Sequence, residues 1–373
     1  MKNQISSLEL NYLTRELKTL VNSKLNKVYS KKNSFVFDFH KTSKGRLMLK
    51  VELPGKIYLT KYKEEYEEPG NFCMFLRKHL ANSFVRDIYT KDFERILIIE
   101  FKTKEKKLKL IFELFSKGNI VLVDDKGIIK NIYRKEEWKD RILKPKEKYK
   151  FPPSGINIIN MDMNEFRIKI MKSNKDLVRT LAVKFSLGGL YSEEVCVRTK
   201  TKKGINTSIL KKNELLKLYK TIKSMLNSKE DPTAYFEDGK LKEITPFELR
   251  MFQNLEKKKY SSFNESLDES LSIMAEEKNE EEIIKTKKGK VEKLKEIIEK
   301  QKEDINKRLN IIDENSKKGE ILYKNYNMLK QLLDDFRKIQ KEHSWEEIKE
   351  KLKNHKIIKE INEKEGYIIV DVK

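Results

Sequence analysis

Cysteine and histidine are scarce in this chain, and each scarcity removes a class of chemistry. Cys73 and Cys196 are the only cysteines among 373 residues, too few for a structural zinc site or a disulfide framework. They read as small buried hydrophobes. His40, His79, His343 and His355 stand isolated, without metal-ligand spacing. No metal and no cofactor is therefore expected. No apolar run approaches the roughly 18 residues of a membrane span. Met1-Lys2-Asn3-Gln4 does not lead into the apolar stretch of a secretory signal. Missing too are the GxxxxGKS/T phosphate loop, GxGxxG, HExxH and GxSxG. The expectation is a soluble cytoplasmic protein without a catalytic residue or a membrane partner.

What the chain has in abundance is charge. Charged residues make up 38%, against roughly 25% in ordinary globular domains. Lys and Arg number 82 and Asp and Glu 59, a formal net charge of +23. With 38% hydrophobic residues, 15 Tyr and 18 Phe, the whole is no disordered basic tail. The excess is also uneven: residues 1–260 carry +24 and residues 261–373 carry −1. Charge that only solubilises has no need of one sign. A phosphate backbone does reward it, because each Lys or Arg that replaces a condensed counterion gains affinity. Nucleic acid is the expected partner. An anionic membrane is the competitor, but no basic amphipathic helix of the interfacial type is present.

Residues 6–23 read as a helix, capped by Ser6 or Ser7, with Glu9 in its first turn and Leu10, Leu13, Leu17, Leu20 and Val21 as its stripe. Alternating segments at 34–40, 46–52 and 56–60 follow, separated by turn residues as in an antiparallel meander. Asn71 to Leu80 reads as a short helix. Three more strands are expected at 95–101, 108–114 and 119–123, the last turning at Asp124-Asp125-Lys126-Gly127. The Pro- and Lys-rich stretch Lys144 to Ser154 leads out of this first domain, 1–172.

A second domain, 173–260, is expected to be largely helical. Asn174 to Lys200 reads as helix, turn, helix, broken at Ser186-Leu187-Gly188-Gly189. Leu210 to Leu226 gives another helix, and Asp238-Gly239 marks a hairpin. Residues 261–345 read as a Ser/Glu-rich connector, 261–282, and one coiled-coil strand at roughly 286–340. Val291, Ile298, Ile305, Ile312, Gly319, Tyr326 and Leu333 occupy its a positions, with Gly319 a weak point. About 55 helical residues span on the order of 80 Å. Such a helix needs a partner strand, from a second copy or from further chain. Residues 346–373 read as the start of another domain, cut short. The fold class is α+β: a mixed first domain, a helix-hairpin-helix domain and a long coiled-coil helix.

Three local features stand out. Leu187-Gly188-Gly189 between two helices can present backbone N–H groups to a phosphate, although an ordinary αα-corner looks the same. Arg77 and Lys78 form the basic face of the 71–80 helix. Asp92-Phe93-Glu94-Arg95 places an acid beside an arginine at the entry of a strand, ordinarily a surface ion pair of little worth.

Together these residues resemble a known family. The resemblance rests on Ser7-Leu8-Glu9-Leu10, Ile57-Tyr58-Leu59-Thr60-Lys61-Tyr62, Phe72 to Leu80, and Asp92-Phe93-Glu94-Arg95-Ile96. It extends through Glu113 to Leu122, Leu187 to Cys196, Phe263-Asn264-Glu265-Ser266-Leu267-Asp268, and Ser344-Trp345. It covers essentially the whole chain and is similar to the NEMF/RqcH family in its archaeal form, also called NFACT or fibronectin-binding-protein-A-like. The resemblance implies a factor of ribosome-associated quality control. Such a factor binds the large ribosomal subunit carrying stalled peptidyl-tRNA. It recruits tRNA, mostly alanyl-tRNA in bacterial and archaeal relatives, for template-free C-terminal tailing of the nascent chain. The implied first domain is related in fold to formamidopyrimidine-DNA glycosylase, and the coil is antiparallel with a middle domain. The family ordinarily continues into a C-terminal NFACT-R domain that this chain does not reach.

The family's tRNA-recruiting residues match Glu9, Glu94 and Arg95, with Glu in place of Asp twice. The charge is kept and each carboxylate lies one methylene further out. Glu9 can equally serve as a first-turn acid on the helix dipole. Arg77, Lys78, Gly188 and Gly189 are the candidates for backbone contact. The alternative is a generic RNA- or DNA-binding protein of glycosylase-like fold without catalytic activity. A repair enzyme of that fold needs an N-terminal proline amine and usually a zinc finger, and Met1-Lys2-Asn3 and two cysteines supply neither. A surface adhesin, as the fibronectin-binding name suggests, has no export signal or wall anchor here.

Overall fold

The computed structural model describes residues 4–63, 66–103, 106–138, 141–173, 175–352, 355–362 and 365–372, the side chains of 274–283, 285 and 351 excepted. Met1 to Asn3 and Asn174, used above, lie outside the described residues. The chain forms two compact units, Met1–Glu277 and Lys278–Lys373.

In the first unit, Ser6 opens helix α1, Ser7–Leu17, by accepting the Glu9 N–H. Leu8, Leu10, Tyr12, Leu13 and Leu17 are fully buried, so this helix is core on nearly every side. It ends sooner than the expected 23, because Lys18–Leu20 tighten into a 3-10 turn and Asn22 takes a φ of 66°.

The strands form one antiparallel sheet of nine. They are β1 Lys24–Lys31, β2 Ser34–Lys41, β3 Gly45–Glu52, β4 Lys56–Thr60, β5 Phe84–Thr90, β6 Ile96–Lys102, β7 Lys107–Glu113, β8 Asn119–Asp124 and β9 Ile129–Ile132. Helix α2, Asn71–Leu80, lies between β4 and β5 in sequence. The spatial order is β4-β3-β2-β1-β5-β6-β7-β8-β9. Two meanders thus meet where β1 joins β5, and the sheet folds over there. Phe37 on β2 packs edge-on against Phe112 on β7 at 5.6 Å, and Phe39 stacks near Phe101 on β6 at 6.4 Å. Alternation puts Leu97, Ile99 and Phe101 into this shared interior. Ile96 and Ile98 face the other way, into a second cluster with Ile111, Val121, Val123, Leu143 and Tyr149. Both faces of β6 to β8 are therefore covered, which explains the unbroken run Ile96-Leu97-Ile98-Ile99. The cover comes from β10, Glu136–Trp138, β11, Arg141–Leu143, and the segment after it. Arg141 reaches the Glu113 carboxylate, with the Tyr149 hydroxyl donating to the same group at 2.7 Å.

Helices follow: α3 Met163–Met171, α4 Leu177–Arg179, a π-helical turn at Thr180–Lys184, α5 Gly188–Thr199 and α6 Lys212–Asn227. Their apolar sides, with Phe166, Leu181, Phe185, Tyr191, Leu218 and Ile222, continue the first core without a gap. Tyr12 on α1 donates to the Met225 carbonyl at 2.7 Å and Arg15 to Leu226 at 2.8 Å, fastening α1 to α6. Strands β12 Thr233–Glu237, β13 Lys240–Thr245 and β14 Glu256–Lys259 form a small sheet. Cys73 and Cys196 are both buried.

The expected connector is instead the beginning of helix α7, Phe263–Lys324. Phe263, Leu267 and Leu271 enter the first core, so burial at that end favours helix over loop.

In the second unit α7 runs through Gly319 without interruption. The break falls at Asn325, with φ −101° and ψ 14°, before α8, Tyr326–Glu342. Val291, Leu294, Ile298, Ile305, Ile312 and Leu322 are about half exposed or more, and no second strand covers them among the described residues. The heptad reading fails beyond Asn325. Phe336 packs there with Ile348 of α9, Trp345–Leu352, and Ile358 of β15, Ile358–Asn362. Strand β16, Tyr367–Val370, pairs antiparallel with β15.

Candidate nucleic-acid interface

The turn from Lys91 to Glu94 joins β5 to β6. Glu94 N–H donates back to Lys91 O at 3.1 Å, Asp92 takes a φ of 50°, and Phe93 is 2% exposed. Phe93 anchors the turn in the core, so Glu94 and Arg95 are held up beside it. They meet the N-terminus of α1 and the start of α5 in a cleft of about 400 Å³. Gln4, Ser6, Glu94, Arg95, Val183 and Gly188 line it. Three of the seven residues singled out from the sequence are thus brought together: Glu94, Arg95 and Gly188.

Arg95 donates to the side-chain oxygen of Gln4 at 2.6 Å. It forms no ion pair with a carboxylate among the described residues. Burial pulls its pKa below the ordinary value, and neighbouring Glu94 acts against that. A guanidinium still keeps its proton at any physiological pH. The cleft therefore contains a partly dehydrated cation resting on a neutral acceptor, with donor capacity left for an anion or a base edge.

Glu94 is more committed. One of its oxygens accepts the Gly155 N–H at 2.6 Å and the Ser186 hydroxyl at 3.2 Å. These bonds tie the β5–β6 turn to the segment before α3 and to the turn before α5. Gly188 has a φ of 76°, a conformation suited to glycine, and starts α5 without a side-chain cap. The α5 amide end at Gly188 therefore opens on the cleft. Gly189 is exposed beside it but is not among the lining residues.

Glu9 stands differently from the expectation of direct contact. It is 1% exposed. One oxygen accepts the Ser6 N–H at 2.8 Å, closing a capping box, and the other accepts the Tyr191 hydroxyl at 2.7 Å. Burial and that carboxylate push the Tyr191 phenol well above its ordinary value, so it remains a donor. A Glu at the third helical position is long enough to fold back on its own helix start, and this geometry takes both oxygens out of the cleft. Arg77 is likewise drawn inward: its Nε donates to Val28 O at 2.6 Å and its guanidinium lies 5.6 Å from the Tyr29 ring centre. Lys78 is exposed. Neither lines the cleft.

Sequence reasoning passed over Gln4, Gly155 and Val183. Ser186-Leu187-Gly188-Gly189 was a usable signal for one wall. Nothing local links Gly155 to Glu94, 61 residues away. Among the described residues no group of three or more His, Cys, Asp or Glu side chains could hold a metal ion, and no helix is long and apolar enough to cross a membrane.

Comparison with known proteins fits this architecture. The crystal structure of the fibrinogen binding protein from Staphylococcus aureus has the same fold, with a TM-score of 0.60 at 18% identity over 70% of this chain and 97% of that one. The N-terminal part of the fibronectin/fibrinogen-binding protein from Streptococcus suis gives 0.58 at 19% identity, covering 72% and 98%. In sequence, the chain is 30% identical over its whole length to the archaeal Rqc2 homologue aRqcH of Methanocaldococcus jannaschii, and spans 59% of that protein. It is 33% identical, over 36% of its length, to ribosome quality control complex subunit 2 of Saccharomyces cerevisiae, of which it covers 13%. The profile of the NFACT N-terminal and middle domains matches residues 6–366, nearly the entire sequence, and on that match the chain belongs to the NFACT family.

Proposed function

We propose that this protein is a ribosome-associated quality-control factor. It binds the large ribosomal subunit carrying stalled peptidyl-tRNA and recruits tRNA, alanyl-tRNA foremost, for template-independent tailing of the nascent chain. The names of the archaeal and yeast relatives support the general role. The +24 of residues 1–260 supports an RNA partner. In this reading the Glu94–Arg95 cleft touches the tRNA, the start of α5 at Gly188 and Gly189 approaches a phosphate, and Lys78 adds backbone affinity. Glu9 acts from inside as a positioning residue, holding Ser6 and Tyr191 behind the cleft. The short helices around Gly188 act as a helix-hairpin-helix, and α7 is one strand of a coil that serves as a spacer. Peptide-bond formation is left to the ribosome.

The observation that carries the proposal is Arg95: a partly buried guanidinium in an open cleft, bonded to neutral Gln4. Such a group serves RNA recognition, where arginine contacts phosphate and unpaired base edges. Pull-down of the chain from lysate at raised salt, followed by sequencing of the bound RNA, tests it. One tRNA class should be enriched. Arg95→Ala should cost about 1–3 kcal/mol of that binding, whereas Lys220→Ala, on the exposed side of α6, should retain it. Equal loss in the two variants reduces the protein to a generic polycation.

A further inference from the structure

The outer end of the β6–β7 ladder carries a like-charge pair. Lys102 stands directly opposite Lys107, and both are exposed. Directly opposed like charges on neighbouring strands weaken a sheet. Two residues inward on the same face the ladder pairs opposite charges: Glu100 faces Lys109 at 2.7 Å, and the Tyr89 hydroxyl joins them. The unfavourable pair is therefore local to the end of the ladder. Exposed Arg86 on β5 and Lys106 in the β6–β7 turn flank it, and all four line an open groove of about 840 Å³. Among the described residues two acids stand on the groove wall; Glu100 is taken by Lys109, which leaves Asp125. Arg86, Lys102, Lys106 and Lys107 form no ion pair among the described residues. The groove shares no lining residue with the Arg95 cleft.

We infer that this groove is a second RNA-binding surface, in which Arg86, Lys102, Lys106 and Lys107 grip a phosphodiester backbone without reading its sequence. Four cations that form no ion pair among the described residues complement a chain of phosphates. A lipid surface fits less well, because the apolar members of the wall, Phe101 and Leu108, are 1% and 6% exposed and offer nothing to insert. An acidic peptide added as a strand fits less well too, because β6 and β7 already have neighbours on both sides.

Fluorescence anisotropy of a labelled RNA hairpin, titrated with the whole 373-residue chain over a range of salt, tests this. Lys102→Ala with Lys107→Ala should weaken binding and lower the slope of log affinity against log salt by about two, one for each lysine removed from the phosphates. Lys217→Ala with Lys220→Ala on α6 should leave the slope unchanged. The first pair should melt at the same temperature or higher, since it relieves repulsion. An unaltered slope, or equal losses in both pairs, overturns the inference. So does release of anionic phospholipid vesicles by the first pair while RNA binding persists. The Arg95→Ala experiment reads tRNA selectivity and stands or falls separately.

Discussion

Gly155 is placed where any side chain would intrude on the cleft. Its N–H holds Glu94, and a Cβ there would lie 2.5 Å from the Ser186 hydroxyl oxygen and 3.1 Å from the Glu94 carboxylate. Gly155→Ala must therefore part Glu94 from Ser186. We expect it to cost about 1–3 kcal/mol, as overpacking does, and to reduce tRNA enrichment; urea denaturation and the pull-down read the two effects. Gly204→Ala is the comparison, because nothing lies within 4 Å of its Cβ position, and its unfolding midpoint should hardly move. The same scale explains Glu9. Its identity as an acid was legible from the sequence, but its direction was not, because the Tyr191 hydroxyl that claims one oxygen comes from 182 residues away.

Helix α7 is rooted by a side chain from α1 and by two of its own side chains on the backbone of β4 and the residue after it. Glu16 on α1 accepts the Phe263 N–H at 2.9 Å and the Asn264 N–H at 3.1 Å, capping the helix. The Asn264 amide bonds both the N–H and the carbonyl of Leu59 on edge strand β4, at 2.6 and 2.8 Å. Asp268, one turn on, accepts the Lys61 N–H at 2.9 Å. These bonds give the Phe263–Asp268 motif a mechanical meaning: it seals the sheet edge and fixes the start of the long helix. Burial pushes the Glu16 carboxyl up from 4.5 to about 7, against the pull of the Asn264 and Phe263 amides. The folded protein thus holds this proton more tightly than the unfolded chain. Stability contributed by Glu16 is complete below about pH 4.5 and is lost as pH rises through about 7. Glu16→Gln should flatten that part of the curve of unfolding free energy against pH; denaturant titrations between those values check it, and an unchanged slope excludes the role. At this scale too, six strands and α2 followed from alternation and turn residues, whereas β1 and β5 did not. Each of the two carries a bulge, between Leu25 and Lys27 and between Val85 and Asp87, which breaks the two-residue period on which such reading depends.

Across the whole molecule, charge and compact units divide in nearly the same place. Residues 1–277, the first unit, carry +19, and residues 278–373, the second, carry +4. RNA affinity should accordingly reside in the first unit. A fragment of residues 1–277 should keep most of the salt slope of the full chain in anisotropy titrations, and residues 278–373 should show a much shallower one. A steep slope in the second fragment would move the RNA contact to α7 or the elements after it. Ile298, Ile305 and Ile312 on α7 are about half exposed, and such side chains are satisfied by packing rather than by phosphate.

The sequence by itself determined the mixed helix and sheet character, most strands, the helical turn at Gly188 and the sign and location of the charge. These depend on periods and compositions within short windows, where neighbours along the chain are neighbours in space. Only the tertiary structure decided which charges remain available. Glu9 and Arg77 are spent on internal partners, Arg95 rests on Gln4, and Lys102 meets Lys107 across a ladder. The availability of a polar group depends on what burial and distant segments bring against it, and no local window contains that information.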